Sequence, residues 1–146
     1  ILFAIILQNK ASQLTRMKQI AARAKSPLEN LKSMLVQNVG DVFESVKQNF
    51  KSPEEIMGTR ERARKRLKPF FEARLALIEG LLSQAALQNE ICEQQDYHRL
   101  AQLLMLSLKG VLPPYDTTSR KIKLQNQAAE LLELSFNGLK TGKQEL

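Results

Sequence analysis

Apolar residues recur along this chain at intervals of three and four, the repeat of one face of an α-helix. From Leu7 the positions Ala11, Leu14, Met17, Ala21 and Ala24 form such a row, which predicts a first helix running to about Lys25. "SPLE" follows at 26–29: Ser26 is a natural N-cap, Pro27 suits the first helical position, and Glu29 can reach back as in a capping box. Leu28, Leu31, Leu35, Val39, Val42, Val46 and Phe50 then mark one stripe to about Asn49. "SPEE" repeats the start signal, with Ser52 as cap and Glu55 as its partner.

Beyond it the pattern weakens. Between Ile56 and Leu67 only Ile56, Met57, Ala63 and Leu67 are apolar, and Gly58 sits near the start, so a short helix is expected that Pro69 ends or kinks. The row resumes with Phe70, Phe71, Arg74, Leu75, Ile78, Leu81, Leu82 and Ala85, and polar "QNEICEQQ" then reads as a connection. Asp96 caps a further helix over 96–111, stopped by Gly110 and sealed by Pro113-Pro114. Tyr97, Leu100, Ala101, Leu104, Leu108 and Val111 make one face of it, while Leu103, Met105, Leu106 and Leu112 occupy others, more than one core-facing stripe needs. A last helix, about Ser119 to Phe136, repeats the excess with Ile122, Leu124, Ala128, Ala129, Leu131, Leu132, Leu134 and Phe136 before Asn137-Gly138. No strand pattern, repeat or low-complexity tract interrupts the series. The expectation is one all-α domain over 1–146, a bundle of about six helices.

Composition narrows the picture further. A chain of 146 residues can bury a real core, and with Trp absent and only two Tyr and six Phe that core must be aliphatic. The net charge of +7 is uneven: residues 1–52 hold eight Lys/Arg against three Asp/Glu, and 1–25 hold five cations and no acid. That first helix stands in a positive field suited to phosphate or anionic lipid, although solvated surface explains the same charge. In "RERARKRLKP" (60–69) six cations share ten residues. Glu61 can pair with Arg64 or Lys65, and no aromatic interleaves the charges as a nucleic-acid surface would want, so this run reads as the wet side of a helix.

Catalytic and metal chemistry finds no pattern here. The one histidine, His98, has no ligand partner at metal spacing on its own helix except Asp96, which faces elsewhere. Neither a Gly-rich phosphate loop nor a hydrolase or zincin motif stands out, and Glu54/Glu55 and Glu130/Glu133 have capping and surface roles. No enzyme activity, cofactor or metal is expected. The single Cys92 excludes an internal disulfide, fits a reducing compartment and hence a cytoplasmic setting, and is flanked by Glu90 and Glu93, the opposite of what activates a thiolate. The opening "ILFAIIL" is too short for a signal or a span, and the chain begins without Met, which suggests a fragment with Ile1 already inside a helix. Polar residues interrupt several apolar rows: Asn38 between Leu35 and Val42, Arg74 between Phe70/Phe71 and Leu77/Ile78, Gln102 and Ser107 among leucines. Walls of Phe43, Phe70, Phe71 and Met105 with such groups suit a mostly apolar small molecule, while Asn38 and Arg74 could equally reach out to the rim.

The order of these segments, "ILFAIILQNKASQL", "SPLENLKSML", "RLKPFFEARLALIEGLLSQAALQNEI", "DYHRLAQLLMLSLKGVL" and "QAAELLELSFNGLK", resembles the C-terminal regulatory domain of TetR/AcrR-type transcriptional repressors over nearly the whole chain. Leu108-Lys109-Gly110 and Leu134 to Leu139 with Gly138 carry it most clearly; the family's sharp helix-turn-helix signature is not among these residues. The resemblance implies a homodimer in which helices 96–111 and 119–137 form a four-helix bundle with their copies, through Leu100, Leu104, Leu108, Ala128, Leu132 and Ser135. It also implies a pocket for a small-molecule inducer among the first helix, the second and the one after Pro69, lined by Met34, Asn38, Phe43, Phe70, Phe71, Arg74, Ile78 and Met105. DNA would be reached only through an N-terminal domain outside this chain, and no membrane is implied. From the residues alone, a helical adaptor holding a partner helix in an apolar groove is the alternative, and an amphipathic protein of membrane surfaces a third.

Overall fold

In the computed structural model, which describes residues 2–49, 53–111 and 120–141, every regular element is an α-helix. These are α1 (Leu2–Ala21), α2 (Pro27–Asn49), α3 (Pro53–Leu87), α4 (Tyr97–Leu108) and α5 (Lys121–Thr141). The chain is an all-α bundle, as the repeat of three and four predicts.

α2 is the hub, packed by α1, α3 and α5, and its stripe Leu28, Leu31, Leu35, Val39, Val42 and Val46 is buried throughout. It starts as expected, with Pro27 first and Ser26 Oγ accepting the Glu29 N–H at 3.2 Å. α1 runs antiparallel to it, joined by Asn9 Nδ2 to Ser45 Oγ (3.0 Å) and Arg16 to Asp41 (3.1 Å). α5 also runs antiparallel to α2: Lys32 meets Glu133 at 2.7 Å, Lys121 meets Glu44 at 2.7 Å, and Gln125 Nε2 donates to the Val36 carbonyl at 3.2 Å. At that crossing Gly40 is buried, and a β-carbon there would lie 2.5 Å from Gln125 Nε2 and 2.8 Å from Lys121 Cε. The missing side chain is what lets α5 approach.

The structure differs from the pattern in four places. α1 stops at Ala21 rather than Lys25, because Asn30 turns its amide into the connection and donates to the carbonyls of Ala21 (3.4 Å), Arg23 (2.9 Å) and Lys25 (3.4 Å). Its buried face is Ile6, Gln13, Met17 and Ile20, so Ala11 and Ala24 are exposed and the expected stripe is rotated. Two expected helices are one: α3 continues through Pro69, which is exposed, so its ring meets solvent and the helix gives up one backbone hydrogen bond. α5 passes Asn137-Gly138 to Thr141, since Leu139 packs on the core and its carbonyl accepts the Cys92 N–H at 3.2 Å. The expected cap Ser52 and stripe end Phe50, as well as Leu112, Pro113, Pro114 and Ser119, lie outside the described residues.

The end of α3 is built by Asn89, with φ of 60°. Glu90 N–H reaches the Ala85 carbonyl (2.8 Å) and Asn89 N–H the Ala86 carbonyl (3.0 Å), a Schellman closure with Asn in the left-handed position. Glu90 then caps a different helix, its Oε1 accepting the Leu28 N–H at 3.4 Å. Asp96 caps α4 as expected, accepting the Arg99 N–H at 2.9 Å.

Candidate functional site

Two apolar clusters fill the bundle. The larger joins Met17, Ile20, Leu28, Leu31, Leu35 and Val39 of the α2 stripe, Ile78, Leu82, Ala101, Leu104, Leu124 and Leu132 among others. The smaller, between the first half of α1 and the first half of α3, contains among the described residues Ile6, Ala63 and Leu67, with Leu7, Phe70 and Phe71 packed against it. Ile6 meets Leu67 and Lys10 meets Phe71, so α1 and α3 run in the same direction here.

A polar layer separates the two. On α1 the residues between Ile6 and Met17 of the inward face are Lys10 and Gln13; on α3, between Leu67 and Ile78, they are Phe71 and Arg74. Gln13 is 5% exposed, and its Oε1 accepts from Lys10 Nζ at 3.4 Å. Lys10 Nζ lies 5.9 Å and Arg74 Cζ 5.2 Å from the centre of the same Phe71 ring, so two cations share one aromatic face or its margins. Asn38 of α2, one turn before Val42, is 3% exposed. Next to it Asp41 is buried, fixed by Arg16 and by Gln37 Nε2 at 3.2 Å.

The residues expected to line a pocket therefore divide. Met34, Phe43, Ile78 and Met105 belong to the larger cluster, Phe70 and Phe71 to the smaller, and Arg74 stands at the junction, with Asn38 buried rather than at the rim. Gln13 and Lys10 escape a reading by periodicity because an alanine row beside them has the same period; the signal that could have found Gln13 is its spacing of seven from Ile6 and Ile20. Gln102 and Ser107 face outward on α4 and are no part of this layer.

Of the residues expected at a dimer interface, four lie in the core of the single chain. Leu104, Leu108, Ala128 and Leu132 are buried within the single chain, in the larger cluster, so they have no surface to offer a second copy; Leu100 and Ser135 are partly buried. The apolar surface left over is carried instead by Leu103 (46% exposed) and Leu106 (50%) on α4 and by Ile122 (62%) and Leu134 (72%) on α5.

The remaining candidates resolve locally. Arg62, Arg64, Lys65, Arg66 and Lys68 are exposed along α3, with Arg64 3.9 Å from Glu61 and Lys68 3.8 Å from Glu72; the Arg60 side chain lies outside the described residues. His98 is exposed and touches Glu79 (3.3 Å) and Gln102 (3.3 Å). Cys92 is half-buried, its N–H tied to α5. Among the described residues no group of three His, Cys, Asp or Glu could hold a metal ion, and no helix is long and apolar enough to cross a membrane. No family model, curated protein or solved structure matches this chain.

Proposed function

We propose that this chain is a homodimeric, small-molecule-sensing domain of a TetR-type transcriptional repressor, joined through α1 to a DNA-binding segment ahead of it. The observation that carries the reading is the leftover apolar surface on α4 and α5. Leu103 and Leu106 lie one turn apart on α4, outside a core that Leu104 and Leu108 already complete, and Leu134 is exposed on the neighbouring α5. Large aliphatic residues are costly to leave in water, at about 25 cal/mol per Å². A second copy bringing the same two helices would cover them and form four helices around a common seam.

The sensing half of the reading rests on the polar layer between α1, α2 and α3. A ligand seated there would touch the helix leading to the DNA-binding heads, and favouring one α1 position would shift the dimer away from the spacing an operator accepts. The polar seam between α1 and α2, Asn9 to Ser45 and Arg16 to Asp41, can exchange partners at lower cost than a close-packed apolar one.

Light scattering on the 146-residue chain tests the assembly. A dimer that becomes a folded monomer in Leu106→Glu or Leu134→Glu supports the reading. A wild-type monomer at high concentration overturns it and favours a helical adaptor instead.

A further inference from the structure

We propose that the first half of α3 is a docking surface for the phosphate backbone of duplex DNA, which Arg62, Arg64, Lys65, Arg66 and Lys68 hold without reading bases. The charge of the chain is concentrated there and on the helix beside it. Residues 1–25 hold five cations and no acid, and residues 53–68 hold six cations and three acids, so the two stretches carry +8 and everything else −1 in a chain of +7. α1, which packs on this half of α3 through Ile6, Ala63 and Leu67, therefore brings no carboxylate to it.

Burial orients the charges. Ala63 and Leu67 turn into the bundle, and at about 100° per residue Lys65 stands on the opposite side of the helix. Arg62 and Arg66, one turn apart, form a row on one flank of Lys65, and Arg64 and Lys68 form a second row on the other. All five are exposed. A helix about 10–12 Å across with a cationic row on each flank matches a major groove about 12 Å wide, each row meeting the phosphates of one strand. The cations need not be idle for this. Arg64 and Lys68 lie 3.9 and 3.8 Å from Glu61 and Glu72, but their side chains are 78% and 74% exposed, and such pairs yield to a stronger anion. Arg62 Nη2 donates to Thr59 Oγ1 at 3.5 Å, a long bond that leaves its other donors available, and Arg66 is engaged as well. The excess of positive charge survives all of these pairings.

What is missing between the charges selects the partner. No aromatic stands among the five cations, so the stacking platform that a single strand needs is not there. No large apolar side chain is exposed among them either, so nothing anchors this stretch in a bilayer. Duplex DNA presents one charge per about 1.7 Å and asks only for cations. This surface departs from what the family resemblance implies, since DNA is met by the chain itself.

Fluorescence anisotropy of a labelled random-sequence duplex of about 20 base pairs, titrated with the 146-residue chain at several salt concentrations, tests the surface. Micromolar binding is expected at about 50 mM salt, with log K falling against log salt at a slope of about −4 to −5. The triple variant Arg64→Gln, Lys65→Gln, Lys68→Gln should bind about thirtyfold or more weakly and flatten that slope by about 2–3. A second triple variant, Lys109→Gln, Lys123→Gln, Lys140→Gln, removes the same charge from exposed positions elsewhere and should lose far less. Should the first triple lose helical circular dichroism, the single change Lys65→Glu, on the side away from the core, decides the matter. No duplex binding at low salt, or equal loss in the two triple variants, would overturn the assignment. So would a single strand, or vesicles of phosphatidylserine and phosphatidylcholine, bound more tightly than the duplex. The result is separable from the repressor reading: a monomer that binds the duplex keeps this surface, and a dimer that does not loses this surface alone.

Discussion

Single residues hold the helix ends of this bundle in place, and their chemistry predicts the sign of substitutions. Asn30 donates from one buried amide to three carbonyls at the α1–α2 turn. Asn30→Ala should lower stability by about 1–3 kcal/mol in urea melts. Asn30→Asp should cost more, because a carboxylate can only present lone pairs to those same carbonyls. Gly40 is a contest between two terms. Gly40→Ala gains about 1 kcal/mol of helix propensity, but displaces the ends of Gln125 and Lys121 and with them a hydrogen bond to Val36 and an ion pair to Glu44, of about 1 kcal/mol or less each. The net should fall within about 1 kcal/mol of zero, since both displaced groups are flexible tips. Gly40→Leu, which cannot be accommodated so, should destabilise clearly in the same melts. Lys32 holds the Glu133 carboxyl below its ordinary value of 4.5, first by hydrogen bond and then by charge. A depressed folded-state value means the contribution is present above the ordinary value and is lost as pH falls through the lowered one. Lys32→Gln should return the Glu133 titration, followed by NMR, towards the ordinary glutamate range.

Elements respond as units, and α3 is the instructive case. Pro69 leaves one turn of an exposed stretch without a ladder bond, yet the helix continues because Leu67 and Phe70 to Ile78 are anchored on α1 and the core on either side. Pro69→Ala should therefore stabilise by about 1–3 kcal/mol, measured by chemical denaturation, with no change of fold. Sequence periodicity captured α2, the caps at Ser26 and Asp96 and the stripe from Ile78 to Ala85, because there propensity, capping and burial agree. It misplaced the ends of α1 and α5 and divided α3, because those were decided by contacts distant in sequence: the Asn30 amide, the Cys92 N–H on Leu139, and packing beyond a proline. For the candidate site the aromatic and cationic members Phe70, Phe71 and Arg74 were legible. Gln13 and Lys10 were not, since a polar residue on a buried face has the same spacing signature as one that faces water.

At the scale of the whole molecule, the excess leucines of the last two helices separate into two populations with opposite behaviour. Leu132→Glu places a charge in the core and should unfold the chain, visible as lost helical circular dichroism. Leu106→Glu acts on the surface and should keep the helicity while changing the mass in solution. Which leucine belongs to which group could not be read from spacing, because both sets recur at three and four along the same helices; only the position of α2 and α3 relative to α4 and α5 divides them.

α3 is 35 residues long, about 52 Å, and borders both apolar clusters. It therefore joins a thick end of the bundle to a thinner one, where, among the described residues, three buried side chains and their partly buried neighbours hold α1 against it. The thin end is the one from which amide protons should exchange first, and it can fray and re-form as a unit while the thick end stays shut.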